Sequence, residues 1–135
     1  MGYSNQIRID FLCDPFEPSL EKAQKMMSQF TLGDPVIVEQ NRDHQPVLFT
    51  EEEQLFEHVD EIDLLVIASP NYLHTPTLLR WGKYDLTILV EKPVAVNQQQ
   101  HDDLLQASTS PEWKARVWVA MEYRYIPAIA KLLEL

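Results

Sequence analysis

Four short stretches carry side chains able to do chemistry, and each follows an apolar run: Cys13-Asp14, Ala68-Ser69-Pro70-Asn71, Glu91-Lys92-Pro93 and Glu122-Tyr123-Arg124-Tyr125. Together they offer carboxylates, an ammonium, a guanidinium, an amide and hydroxyls. Lys92 is the most informative of these residues. Pro93 restricts the Lys92 backbone to the extended region, which fixes the direction of the side chain. An ammonium there can hydrogen-bond a substrate hydroxyl and stabilise charge as a hydride leaves carbon. Partial burial would suit it to proton handling. The alternative is a surface lysine paired with Glu91. Adjacent strand residues point to opposite faces, so that pair is geometrically poor. The sequence leaves the Lys92-Pro93 peptide open between cis and trans.

The other candidates each have two readings. Asp14 ends a strand pattern before a helix. Its carboxylate could accept both hydrogen bonds of an adenosine ribose diol and repel a 2′-phosphate, or it is a turn aspartate ahead of Pro15. Asn71 could hold a ribose or nicotinamide group, or be a turn residue. His74 beside it could serve the same site or pack at a helix N-terminus. Arg124 suits a phosphate or substrate, or stacks on Tyr123 and Tyr125. Cys13 reads as a buried strand residue rather than a reactive thiol. His44, His58 and His101 fall in polar surface segments without ligand-like spacing, so no metal site is expected.

The elements that must position these residues follow from hydrophobic periodicity. "QIRIDFLCD" alternates as a strand, with Ile7, Ile9, Phe11 and Cys13 on one face. Ser19 caps a helix through about Phe30, with Leu20, Ala23, Met27 and Phe30 near one face. "PVIVEQ" and "QPVLFT" are short extended candidates. Thr50 and Glu53 form a capping box for a helix through about Val59. "IDLLVIASP" and "LTILVEKP" are continuous apolar strands of the kind buried on both faces. Between them, Thr75 is the expected N-cap of a helix with Pro76 at its first position and Gly82 as its stop. Asn97 and Gln100 form a second capping box for a helix to about Ala107. "ARVWVAMEY" is a further strand, and "PAIAKLLEL" begins a last helix. Strand and helix alternate, which calls for a parallel sheet covered by helices. In such sheets the ligand sits at the carboxyl ends of the strands, where the four stretches fall.

The 135 residues suit one domain, and 45% apolar content can bury a core. A formal net charge of −10 argues against nonspecific binding to nucleic acid or anionic membrane. The acid concentrates in "TEEEQLFEHVDEID", a solvated helix face. One cysteine allows no internal disulfide and fits a reducing compartment. No apolar run reaches the roughly 20 residues of a bilayer span, and the N-terminus lacks signal-peptide regions. A cytoplasmic chain is expected.

"VIASPNYLHTPTLL", "VEKPVAVN" and "VAMEYRYIPAIAKLLEL", in that order, resemble the nucleotide-binding domain of the Gfo/Idh/MocA family of glucose-fructose oxidoreductase and inositol dehydrogenase-like enzymes. "CDPFEPSLEKAQKM" is similar to that family's second strand and helix. The resemblance implies an NAD- or NADP-dependent oxidoreductase acting on a sugar, polyol or related compound, with NAD favoured by Asp14. It implies that Asp14 contacts the adenosine ribose, that Ser69, Pro70, Asn71 and His74 line the cofactor, and that Glu91, Lys92 and Pro93 form a signature turn. Lys92 would contact substrate and nicotinamide as the catalytic residue. Arg124 would lie beside the cofactor.

The chain holds only three glycines, Gly2, Gly33 and Gly82, and none forms G-x-G-x-x-G after a strand. That loop lets backbone approach a pyrophosphate. The expected fold is therefore an incomplete Rossmann-like doubly wound parallel α/β sheet, lacking the first strand and its glycine-rich loop. Residues 1–135 would be a partial NAD(P)-binding domain, the α/β substrate domain would be absent, and the truncated chain would be inactive alone. In the order 3-2-1-4-5-6 the missing strand is central, so two apolar edges would be open. The expected partners are a small-molecule substrate in the full-length protein and further copies of the chain. The alternative is a non-catalytic module that pairs its open edge with a partner.

Overall fold

The computed structural model describes residues 8–29, 44–121 and 131, and it divides into two compact units, Met1–Val59 and Asp60–Leu135. In the first unit β1 (Phe11–Cys13) pairs in parallel with β2 (Val47–Phe49), with Phe11 opposite Val47 and Cys13 opposite Phe49. Asp10 and Asp14 extend the ladder, through Val47 N–H to the Asp10 carbonyl (2.9 Å) and Asp14 N–H to the Phe49 carbonyl (3.1 Å). Helix α1 (Glu17–Gln29) turns Leu20 inward and keeps Ala23 and Met27 half-buried, on the expected face. It begins before Ser19, because Asp14 Oδ1 already accepts the Phe16 N–H at 2.8 Å and organises the turn.

Helix α2 (Glu52–Leu55) continues as a 3-10 segment (Phe56–Glu61). Its start lies one residue beyond the expected box: Gln54, not Glu53, reaches back, and its Oε1 accepts the Glu51 N–H at 3.3 Å. His58 does not lie in a merely polar segment. Its ring packs against Phe11 and Phe49, with centroids 5.0 and 5.5 Å away. Cys13 is exposed, contrary to the buried reading, because strand β1 is short and Cys13 is its last residue. Phe30, "PVIVEQ" and the segment from Glu122 to Ala130, including Arg124, lie outside the described residues.

In the second unit β3 (Leu64–Ile67), β4 (Thr87–Val90) and β5 (Arg116–Val119) form a parallel three-stranded sheet in that order. Helices α3 (Asn71–Trp81) and α4 (Gln98–Ser108) make the two crossovers and lie against each other. Right-handed crossovers in one direction place both on the same face of the sheet. Ile67, Ile88 and Val90 are buried there with Leu78 and Trp81. The opposite face carries exposed apolar side chains among the described residues. Leu64, Val66 and Trp118 are 45%, 56% and 66% exposed, and Val66, Leu89 and Trp118 are register partners in one row. The continuous apolar pattern of β3 therefore does not mean burial on both faces within the described residues.

Two details set α3. The helix starts at Asn71, so Thr75 is no cap and Pro76 lies inside it. Pro76 has no N–H for the Tyr72 carbonyl one turn back, and the Gln100 side chain donates to that carbonyl instead, at 2.9 Å. Gly82 ends the helix as expected, in a right-handed conformation. Glycine is required by space: a Cβ would collide with the Trp113 ring. The Gly82 carbonyl also accepts from Lys114 N–H (2.8 Å) and Ala115 N–H (3.0 Å), which fixes the start of β5. Replacement Gly82→Ala is expected to destabilise the second unit by about 1–3 kcal/mol through overpacking. Chemical denaturation of the variant beside the parent chain checks this.

Candidate functional site

The three parallel strands of the second unit end at the same level. Ile67, Val90 and Val119 share a row. Beyond it, Glu91 N–H donates to the Ile67 carbonyl (2.9 Å) and Ala120 N–H to the Val90 carbonyl (2.8 Å). Ala68, Glu91 and Ala120 thus leave the sheet side by side, and the residues after them form one rim. Ser69, Pro70 and Asn71 follow β3, Glu91, Lys92 and Pro93 follow β4, and Met121 follows β5. Asn71, Lys92 and Pro93 are exposed on this rim, and Glu91 is half-buried.

The Lys92-Pro93 peptide is cis. Glu91 Oε2 accepts the Lys92 backbone N–H at 3.3 Å, so the carboxylate meets its neighbour through the main chain. Lys92 is exposed, and the partial burial that would tune it for proton transfer is not provided by the described residues. Ser69 Oγ is buried without a hydrogen-bond partner among the described residues, a polar atom left unspent where β3 ends.

His74 lies beneath the rim. It is 1% exposed, with Nδ1 2.8 Å from the Pro93 carbonyl and Nε2 2.7 Å from the Ser69 carbonyl. Thr75, equally buried, donates its hydroxyl to the Val94 carbonyl at 2.7 Å. Gln100 accepts the Val96 N–H through Oε1 at 3.0 Å, while Asn97 Oδ1 accepts the Gln100 N–H at 2.9 Å. The expected Asn97–Gln100 box is thus half present, with its return bond displaced to Val96. Thr75 and Gln100 were not among the residues expected at the site. Pro76 carried the signal for Gln100, since an internal proline leaves a carbonyl that needs a donor.

In the first unit Asp14 follows β1, half-buried, with Oδ1 engaged by Phe16 N–H. The turn geometry is therefore present, and it occupies one carboxylate oxygen. Among the described residues no group of three His, Cys, Asp or Glu is arranged to hold a metal ion, and no helix is long and apolar enough to cross a membrane.

A parallel α/β sheet with a polar rim at its strand ends is the arrangement in which open α/β proteins place their ligands. Comparison with known proteins identifies the family. Residues 16–120 match the model of the Gfo/Idh/MocA oxidoreductase family, NAD-binding Rossmann fold, and the chain belongs to that family. A 47-residue stretch is 26% identical to 2,7-anhydro-N-acetylneuraminate hydratase of Mediterraneibacter gnavus, covering 35% of this chain and 13% of that protein. The WlbA dehydrogenase of Bordetella pertussis, solved with NADH and UDP-GlcNAcA, superposes with a TM-score of 0.67 at 17% identity over 94% of this chain and 34% of that one. The WlbA (WbpB) dehydrogenase of Thermus thermophilus, solved with NAD and alpha-ketoglutarate, gives 0.56 at 22% identity over 94% of this chain and 46% of that one. The chain thus spans less than half the length of the relatives it matches. These likenesses support the Rossmann-like α/β fold.

Cys13 stands beside Asp14 at the end of β1. Desolvation, and then the carboxylates of Glu52, Asp14 and Glu53, push its thiol above the ordinary range despite the residue's exposure. The thiol is therefore protonated and slow at neutral pH. Alkylation is expected to lag an unstructured cysteine peptide at about pH 8 and to rise only at higher pH. Glu52→Gln should move that rise downward, since it removes a carboxylate that opposes the thiolate. A pH–rate profile with iodoacetamide checks both, and parent-chain rates equal to the peptide's would contradict them.

Proposed function

We propose that the chain provides nucleotide-binding parts of an NAD-dependent oxidoreductase that acts on a sugar, polyol or related hydroxylated compound. The observation carrying this reading is the level termination of three parallel strands, with Asn71 and Lys92 exposed on their common rim. Membership of an oxidoreductase family with an NAD-binding Rossmann fold supports the reading; the chemistry would be a hydride exchanged between nicotinamide and a carbon bearing oxygen.

The residues present fit part of such a cofactor. Ser69 Oγ is an unspent polar atom, and Asn71 offers an amide at the start of α3. Ser69, Pro70 and Asn71 would line the nicotinamide side, with Glu91 and Pro93 shaping the turn that carries Lys92. The Lys92 ammonium would hydrogen-bond the substrate oxygen and stabilise its charge as the carbon is oxidised or reduced. Asp14 would accept hydrogen bonds from a ribose diol, which favours NAD over NADP. Arg124 is retained as a cofactor-side residue on the resemblance alone.

A pyrophosphate cradle has no counterpart in these 135 residues, whose glycines are Gly2, Gly33 and Gly82. The chain on its own is accordingly proposed to bind NADH feebly and to turn over nothing. The substrate domain and the glycine-rich strand would belong to the full-length protein, whose compartment we read as the cytoplasm.

In the full-length protein, Lys92→Ala is expected to lower kcat on the order of 100-fold or more while NADH still binds. Asp14→Asn should raise the affinity for NADPH relative to NADH. Titration with both cofactors, followed by steady-state kinetics, tests the reading, which normal turnover in Lys92→Ala would sink.

A second reading has its own observation: the open face bearing Leu64, Val66 and Trp118. Contiguous exposed apolar surface of this kind invites association. A non-catalytic module would use it, with the edge of β3, to pair with a partner. Size-exclusion chromatography with light scattering separates the cases. A concentration-independent monomer with cooperative unfolding argues against the module.

A further inference from the structure

The backbone after β4 raises an accounting problem. The last ladder bonds of β4 are Glu91 N–H to Ile67 and the Val90 carbonyl to Ala120. Beyond them the chain runs through Lys92, Pro93 and Val94 to the cap of α4, outside the sheet. Carbonyl oxygens there still need donors. Side chains meet them: Thr75 donates to the Val94 carbonyl, and a ring nitrogen of His74 lies 2.8 Å from the Pro93 carbonyl. Gln100 takes the Val96 N–H and ties the same loop to the Tyr72 carbonyl.

His74 and Thr75 are adjacent on the first turns of α3, and each is 1% exposed. Water has little access to replace them. The His74 ring also faces the Ser69 carbonyl, so one side chain spans the segments that follow β3 and β4. A neutral imidazole donates through one nitrogen only, and both neighbours are acceptors. Thr75 carries no such ambiguity: its hydroxyl must donate to a carbonyl.

We propose that His74 and Thr75 are positioning residues: they hold the Lys92–Val94 backbone so that Lys92 meets the reacting oxygen, with Gln100 bracing the far end of the loop. The proposal deepens the functional reading above and rests on it for the role of Lys92. It moves His74 from contact with the cofactor to support of the turn beneath it. Thr75 and Gln100 gain roles that neither local propensity nor the capping pattern assigned.

Thr75→Val keeps the shape and removes the donor, while Thr75→Ser keeps the donor. Two readouts separate the clamp from the reading of Lys92. By hydrogen exchange on the 135-residue chain, Thr75→Val and Gln100→Ala should speed exchange at the Val96 amide, whose N–H is held by Gln100, and spare the β3–β4 ladder. Thr75→Ser should match the parent. In the full-length enzyme, Thr75→Val should lower kcat on the order of 100-fold, the scale of a misplaced catalytic group. KM for NADH should stay within about twofold, and Thr75→Ser should restore turnover.

If Lys92→Ala retains normal turnover, the functional reading fails while the exchange data still decide the clamp. Unchanged exchange in both Thr75→Val and Gln100→Ala would overturn the clamp. A Thr75→Val enzyme with the kcat of Thr75→Ser would overturn the positioning role. Gln100 is only half-buried, so its variant keeps the test decisive should Thr75→Val not fold.

Discussion

Backbone polar groups that leave a parallel sheet must find partners, and this requirement organises the second unit. Within the sheet the ladder satisfies them; past its last row it cannot. The rim is where function in such folds is placed, so its carbonyls are held by side chains whose positions come from the helices. Pro76 sharpens the problem by orphaning the Tyr72 carbonyl, and Gln100 resolves it from the neighbouring helix. One amide side chain thereby joins α3, α4 and the loop carrying Lys92. The same logic places Gly82 against Trp113 at the other end of α3, where its carbonyl starts β5.

Among the described residues the sheet buries side chains on one face and exposes apolar ones on the other. Ile88 and Val90 are fully buried against the helical side, while Val66 and Trp118 expose apolar surface opposite. This asymmetry follows from topology. Two successive crossovers of the same hand cover one face, and a doubly wound sheet needs further elements for the second. The Arg116–Asp85 pair at 2.8 Å is solvent-exposed on both sides and so contributes weakly.

Much of this was legible in the sequence, and the reasons are specific. Continuous apolar runs located β3 and β4, and the residues following them did line up on a rim. Gly82 marked the end of a helix correctly, although the cause is the Trp113 ring and not a left-handed turn. Boundaries failed where capping signals competed. Thr75 followed by Pro76 imitates a helix start, but Asn71 begins the helix because a distant glutamine supports the internal proline. Cys13 failed for a different reason: period-two alternation predicts faces only while a strand persists, and β1 is three residues long. His58 failed because the polarity of a segment does not say which of its side chains turns onto a neighbouring strand pair. Burial on both faces of β3 could not be read either, since an apolar run states a demand for cover without showing what provides it.

Glycine content bears on how binding energy can be distributed. A dinucleotide is gripped at a pyrophosphate, a ribose and a nicotinamide, and backbone approach to the pyrophosphate demands residues without a Cβ. Of the three glycines, Gly82 is committed to packing against Trp113 at the C-terminal end of α3. The rim residues can orient the reactive end of a ligand, but orientation is a different contribution from affinity. On the proposed reading, Asn71, Lys92 and the buried pair beneath them would fix direction and charge at a few atoms. The charge-bearing middle of such a ligand needs several backbone N–H groups converging at a helix N-terminus. On that reading the rim would serve as a positioning surface, one that gains its effect when the gripping contacts are supplied alongside it.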